Sequence, residues 1–529
     1  MSDTAASDAA WKPKANPWAI AVVVTLAAFM EILDTTIVNV SLPHIAGSVS
    51  ASYDDATWAL TAYLVANGIV LPISGFLGRL IGRKRYFLIC IAMFTVSSFL
   101  CGTSDSLGEL VVFRLMQGFF GGGLQPNQQS IILDTFEPAQ RSKAFGVVAI
   151  AVIFAPIIGP TLGGFITDNY SWRWVFFINV PVGIFAFFAV TALVEDPPWV
   201  KRARSSVRDF DYIGLGLIAL GLGSLQIMLD RGEDDDWFGS PLIVVCAFFA
   251  ALGIIGAIWW LLKASKPIVN IRVFKNRNFA VGSVMIFSIG AILYSGTVLL
   301  PQLAQQRLGY TATLAGLVLS PGGVLILVLI PIVGRLMPYV QTRLVIAFGF
   351  FVLGCAYSYA HGITPDASFT RLALMRGTQT LGLAFLFVPT STITYSTMPR
   401  SMNSDASSLY VMLRNVAGSI GISLSTAEIT QRTQIRQSYL AGHLTPFNPA
   451  YTDLLARTTH TLQGMGRAAG QASSEALGLI SQTLNQQAAI LAYRDVFAYC
   501  AIAAFCIVPV TFLFEAHTKR DASGGGGGH

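Results

Sequence analysis

Apolar runs of membrane-crossing length alternate with short polar turns along almost the whole chain. They fall at about 18–42, 57–78, 86–102, 109–133, 143–166, 174–194, 212–229, 241–262, 279–300, 314–334, 343–361, 370–396, 404–427 and 495–514. A helix needs about 20 apolar residues to cross the hydrocarbon core of a bilayer, so each run is read as one pass. The pattern predicts an all-α membrane protein with 14 transmembrane helices. An even number of passes returns both termini to one side. Lys and Arg then sort sharply: the terminus side holds Lys12, Lys14, Arg79, Arg83, Lys84, Arg85, Arg141, Lys143 and many more, whereas the short loops opposite hold Arg173, Arg231, Arg307 and Arg371. By the positive-inside rule both termini are expected in the cytoplasm.

Composition agrees with this reading. Of 529 residues, 53% are apolar and 12% are charged, about half the charged share usual in soluble proteins. The net charge of +6 is spread over the turns between runs, not gathered on one domain, and so excludes nucleic acid as the natural partner. Cys90, Cys101, Cys246, Cys355, Cys500 and Cys506 lie in or beside apolar runs without metal or CxxC spacing, and are expected as small core residues. No metal or cofactor site is expected. The first run is too long for a signal-peptide core, so retention is expected.

Two carboxylates, Glu31 and Asp34, interrupt the first run. A charge at that depth costs several kcal/mol unless it is paired, hydrated or protonated. Three residues apart on a helix, the two share one face, and burial and a like charge nearby both favour the protonated form of a carboxyl group. Proton or charged-solute movement is the functional reading; a hydrated pair near the helix end is the bland one. Arg114, inside the fourth run, keeps its proton and needs a counter-charge, carbonyls or water. Asp34 or Glu31 is the expected partner, and a tether to backbone carbonyls the alternative. Arg376, Asp405, Arg414 and Glu428 are further charges in or near later runs. Arg414 and Asp405 are expected near an end of the thirteenth run, where a structural or snorkelling role is as good as a functional one. His361, at a span edge, reads as a hydrated surface residue.

The chain also repeats itself. Pro72-Ile73-Ser74-Gly75-Phe76-Leu77-Gly78-Arg79-Leu80 is echoed by Pro331-Ile332-Val333-Gly334-Arg335-Leu336, and Arg114-Leu115-Met116-Gln117 by Arg376-Gly377-Thr378-Gln379, at offsets of about 256 and 262 residues. Duplicated halves are a common way for secondary transporters to build a central site.

Several segments carry a family likeness. Gly75 through Arg79, Gly82 and Arg83, in the turn between the second and third runs, resembles the loop signature of the major facilitator superfamily, with Arg79 where an acid is usual. Arg114-x-x-Gln117-Gly118 resembles its fourth-helix motif. Ala155-Pro156-Ile157-Ile158-Gly159-Pro160-Thr161-Leu162-Gly163-Gly164 resembles the antiporter signature of drug exporters; prolines kink a helix and glycines admit a close neighbour. Leu33-Asp34-Thr35-Thr36 through Pro43, and Trp172-Arg173-Trp174 through Asn179-Val180-Pro181, are similar to the fourteen-span drug:proton antiporter branch. Glu31 departs from the glutamine expected there.

The resemblance implies a major facilitator fold: two six-helix bundles plus two inserted helices. The expected division is a cytoplasmic N-terminus over 1–17, an N-terminal bundle over 18–194, a linker with two extra spans over 195–278, a C-terminal bundle over 279–514 that includes a periplasmic loop over 428–494, and a cytoplasmic Gly-rich tail over 515–529. It implies a secondary transporter, not an enzyme, in a bacterial inner membrane, coupled to H+ and exporting hydrophobic or amphipathic drugs. Asp34, Glu31 and Arg114 would couple protons, and Pro156, Gly159, Pro160, Gly163 and Gly164 would gate. The implied partners are a periplasmic membrane-fusion adaptor of the EmrA type and an outer-membrane channel of the TolC type, with the 428–494 loop as a docking candidate. A stand-alone exporter, and an importer or uniporter of a specific metabolite, are the alternatives.

Overall fold

A computed structural model describes residues 11–199 and 210–515, and all regular structure in them is helical. The expected tail from residue 516 onward lies outside the described residues. The helices are α1 Pro17–Ser48, α2 Trp58–Ile81, α3 Arg83–Thr103, α4 Leu107–Gly121, α5 Leu124–Thr135, α6 Arg141–Asn169, α7 Asn179–Leu193, α8 Tyr212–Arg231, α9 Pro241–Lys263, α10 Arg277–Leu308, α11 Ala312–Leu336, α12 Thr342–His361, α13 Phe369–Thr394, α14 Asn403–Ala441, α15 Pro449–Gly464 and α16 Ala469–Ile507. Polar turn residues start many of them. Asn16, Ser106, Asn276, Thr311 and Ser368 each accept a hydrogen bond from a backbone N–H of the first turn they cap. Between α2 and α3 the chain turns at Gly82, whose φ of 100° is open only to glycine at low cost.

Among the described residues, twelve helical segments are long and apolar enough to cross a membrane. The two other predicted runs are helical as well but fail that test for identifiable reasons. Run 109–133 is split into α4 and α5 at Gly122 and Gly123, so neither half is long enough alone. Run 404–427 forms the first part of α14, whose buried face is rich in Ser and also carries Asn403, Asp405 and Arg414.

α1 to α7 form one bundle, and α10 to α14 with α16 form the other. The bundles meet where α6 packs on α11 and α13, and where α2 and α5 pack on α14. The inserted pair α8 and α9 lies outside them. α8 leans on α2 and touches α14, so it spans the seam between the halves, while α9 packs on α8. Lipid-sized apolar side chains such as Phe188, Phe248, Ile255 and Trp259 face outward. Two of the six cysteines depart from the core reading: Cys355 and Cys506 are exposed.

The 428–494 segment is not an irregular loop. α14 and α16 are 39 residues each, about 58 Å at 1.5 Å per residue, well beyond the roughly 30 Å hydrocarbon core. Both run past the bundle and are joined by α15, so the segment is a helical projection. Arg436 and Asp495 pair across it at 2.8 Å, tying α14 to α16.

Candidate functional site

α1 carries both acidic residues, and their surroundings differ. Asp34 is fully buried and accepts from three side chains: Arg114 Nη1 at 2.6 Å, Gln117 Nε2 at 2.9 Å and Asn179 Nδ2 at 2.7 Å. Arg114 is also fully buried. Its Nη1 donates to Gln117 Oε1 at 2.8 Å, its Nε donates to the Ala59 carbonyl at 3.2 Å, and its guanidinium lies 4.2 Å from the Tyr63 ring centroid. The two expected modes, counter-charge and carbonyl tether, are thus both present in one side chain.

Glu31 occupies a separate cage. Its carboxylate accepts from Tyr63 Oη at 3.0 Å, Asn67 Nδ2 at 3.0 Å and Gln125 Nε2 at 2.5 Å. The shared face therefore does not produce a carboxylate pair. Neighbours from α2, α4, α5 and α7 draw the two acids apart, one to a cation and one to neutral donors. Tyr63 joins the cages, its ring beneath Arg114 and its hydroxyl on Glu31.

Arg414 corrects the sequence reading. It is not at an end of its span but well inside α14, and it is 1% exposed. Its Nη2 donates to Gln125 Oε1, the amide whose other end holds Glu31. A chain of hydrogen bonds therefore runs Glu31–Gln125–Arg414 from the first half to the second. Sequence reasoning missed Tyr63, Asn67, Gln125 and a role for Asn179. A signal was available: Gln125, Asn127, Gln128 and Gln129 are four buried amides within a membrane-length run.

The Gly/Pro motif of α6 lies directly against α1. A Cβ at Gly159 would sit 2.1 Å from Thr36 Oγ1, and one at Gly163 would sit 2.8 Å from the Ile37 carbonyl oxygen. These glycines set the approach of α6 to the helix that bears both acids. Pro156 and Pro160 interrupt its backbone ladder, and Gly164 is buried beside them.

At the basic end of the bundle the two halves are latched. Arg79 pairs with Asp405 at 2.7 Å, Arg83 pairs with Asp134, and Arg83 Nη2 donates to Ser404 Oγ at 2.7 Å. The acid missing from position 79 is thus supplied by α14, so a latch survives with its polarity reversed. Gly75 makes this close approach possible, since a Cβ there would meet the Ser404 carbonyl oxygen at 2.9 Å.

The remaining charges separate. Glu428 forms an i,i+4 pair with Arg432 on the α14 surface, away from both cages. His361 Nδ1 lies 2.8 Å from the Arg494 carbonyl oxygen, a tie between α12 and α16. Arg376 is 1% exposed and has one hydrogen bond, from Nη2 to Thr297 Oγ1 at 3.2 Å.

Comparison with known proteins accounts for the architecture. The Major Facilitator Superfamily profile matches residues 24–422. The chain is 39% identical to the multidrug export protein EmrB of Escherichia coli (strain K12) over 509 residues, 96% of each chain. It is 37% identical to the fatty acid resistance protein FarB of Neisseria gonorrhoeae, over 95% of this chain and 96% of that one. In fold it is similar to a solved peptide transporter, POT, with a TM-score of 0.58 at 14% identity, covering 97% of this chain and all of the other. With two helical bundles, a seam-spanning inserted pair and a profile match over most of its length, this chain belongs to the major facilitator superfamily.

Proposed function

We propose that this transporter is a proton-driven multidrug efflux antiporter, exporting hydrophobic or amphipathic compounds across a bacterial inner membrane. The observation that carries the reading is the fully buried Asp34–Arg114 ion pair at the helix that the Gly/Pro motif of α6 presses upon. Near-full-length similarity to a multidrug export protein supports the direction. Protonating Asp34 breaks a buried pair and frees Arg114, so a proton here changes which packing of the halves is favoured. Glu31 is the second acid, either a second carrier or a modifier, and Arg114 tunes Asp34. The membrane potential supplies about 2.3 kcal/mol per charge per 100 mV, and each tenfold proton gradient about 1.4 kcal/mol.

In this reading both termini and the Arg79–Asp405 latch are cytoplasmic, and the α14–α15–α16 projection is periplasmic. The projection exposes Tyr439, Phe447 and Met465, a surface suited to a periplasmic adaptor of the EmrA type that hands cargo to an outer-membrane channel of the TolC type.

The test is substrate-driven proton release from proteoliposomes, comparing wild type with Asp34→Asn and Glu31→Gln. Release lost in Asp34→Asn but kept in Glu31→Gln assigns the carrier to Asp34. Release that survives both substitutions together would remove the α1 acids from coupling.

A further inference from the structure

The second half of the molecule contains a buried cation without a buried anion. Arg376 on α13 is 1% exposed, and its Nε has no hydrogen-bond partner. One turn on, Gln379 is 1% exposed, with neither its amide nitrogen nor its carbonyl oxygen partnered. No ion pair involves Arg376 among the described residues. The described acids of this half lie elsewhere: Asp405 pairs with Arg79, Glu428 with Arg432, Asp453 with Arg457, Glu475 with Arg467 and Asp495 with Arg436, while Asp366 and Glu515 are exposed. A guanidinium in such a place stays charged, and leaving it unpaired is costly.

Glycines let the neighbouring helices close tightly around it. Where the first half has Asp34 facing Arg114, the helix facing Arg376 offers Gly296. A Cβ there would already be 3.5 Å from both Arg376 Nη1 and Gln379 Oε1, and 2.4 Å from Tyr357 Oη. α11 approaches from another side, where a Cβ at Gly322 would lie 3.2 Å from Arg376 Cγ. The close junction of α10, α11, α12 and α13 thus holds a guanidinium fork and an unpartnered amide, while the Thr297 and Tyr357 hydroxyls already donate to the Leu293 and Ile292 carbonyls.

The geometry points to an anion site at Arg376 and Gln379 that receives the carboxylate of an amphipathic acidic cargo. A planar fork with an adjacent amide suits the two oxygens of a carboxylate, and the acid that balances Arg376 arrives with the cargo in place of the side chain that balances Arg114. This assignment rests on the export reading, and it narrows the cargo class to include amphipathic acids.

The experiment uses three probes of one shape, phenylbutyrate, phenylbutyramide and phenylbutylamine, with purified wild type, Arg376→Gln, Arg376→Lys and Gln379→Leu. Calorimetric binding in detergent reads the site, and efflux from proteoliposomes reads transport. The binding preference for phenylbutyrate over phenylbutylamine should fall about tenfold or more in Arg376→Gln, and by less in Arg376→Lys, which keeps charge but loses the fork. A preference within about twofold of wild type in Arg376→Gln overturns the assignment. Gln379→Leu reads the same ratio if Arg376→Gln fails to purify. Chloride is the other source of the same charge. Stabilisation of wild type by chloride over sulfate, removed by Arg376→Gln and accompanied by no preference for phenylbutyrate over phenylbutyramide, overturns the cargo assignment. Wild type that binds phenylbutyrate selectively but exports none of the probes supports the site and counts against the export reading.

Discussion

Arg114 and Arg376 stand at matching places in the two halves, each followed three residues later by a glutamine, yet their surroundings are opposite. Around Arg114 the charge is balanced and only Nη2 lacks a partner: Asp34 supplies the counter-charge, Gln117 both donates and accepts, and Tyr63 lies under the guanidinium. Around Arg376 one threonine is bonded, and the glutamine is unpartnered at both ends. A duplicated scaffold has been put to two uses. The first half keeps its counter-charge on the protein, where protonation can remove it. The second half leaves the counter-charge to be brought in.

The sharpest way to break this comparison is to remove each cation. Arg114→Gln strands a fully buried Asp34 carboxylate, and breaking a buried pair from one side costs about 3–5 kcal/mol. Arg376→Gln removes a charge that has no partner and should cost less than about 1 kcal/mol, or stabilise. Thermal unfolding of the purified proteins distinguishes the two, and equal losses would mean that the halves are alike after all.

A second prediction concerns the thread between the halves. Gln125→Leu leaves Glu31 with two donors and Arg414 with Asn415 as its remaining hydrogen-bond partner. Hydrogen bonds to charged groups contribute about 1.5–3 kcal/mol each, so proton-coupled efflux should fall about tenfold or more. Proton release at the wild-type rate in Gln125→Leu would show that the Glu31–Gln125–Arg414 chain does not couple the halves.

The latch should give a smaller effect. Asp405→Asn weakens one half-buried pair while Arg83, Asp134 and Ser404 still hold the seam. Labelling of a cysteine placed at Ser74, which faces Ser408 across the seam, should rise by roughly threefold, the equivalent of about 0.7 kcal/mol. Unchanged labelling would remove Arg79–Asp405 from the closed seam. Smallest of all, Glu428→Gln on the α14 surface should change neither stability nor efflux measurably, because exposed pairs contribute little. A clear loss of efflux there would move the functional centre toward the projection.

Much of this was readable from the chain. Runs of apolar residues marked where the helices cross. The cost of burying charge singled out Glu31, Asp34 and Arg114, and the glycines of the 155–164 motif announced a close helix contact. These are local properties: hydropathy and the desolvation of an ion depend on residues within a turn or two. The length of the 428–494 segment is legible in the chain, but its fold is not, because α14, α15 and α16 there are held by one another.

The partners of those charges were not readable, because partnership depends on which helices stand side by side. Arg414 meets Gln125 across 289 residues and Arg79 meets Asp405 across 326. Glu31 and Asp34, one turn apart, are divided by donors that α2, α4, α5 and α7 bring to them. The sequence alone determined that charge would be buried in this membrane bundle, and singled out Glu31, Asp34 and Arg114. The tertiary structure decided which charges are balanced and which, like Arg376, are left open, because a counter-ion is chosen by proximity in space and short-range electrostatics takes no account of order along the chain.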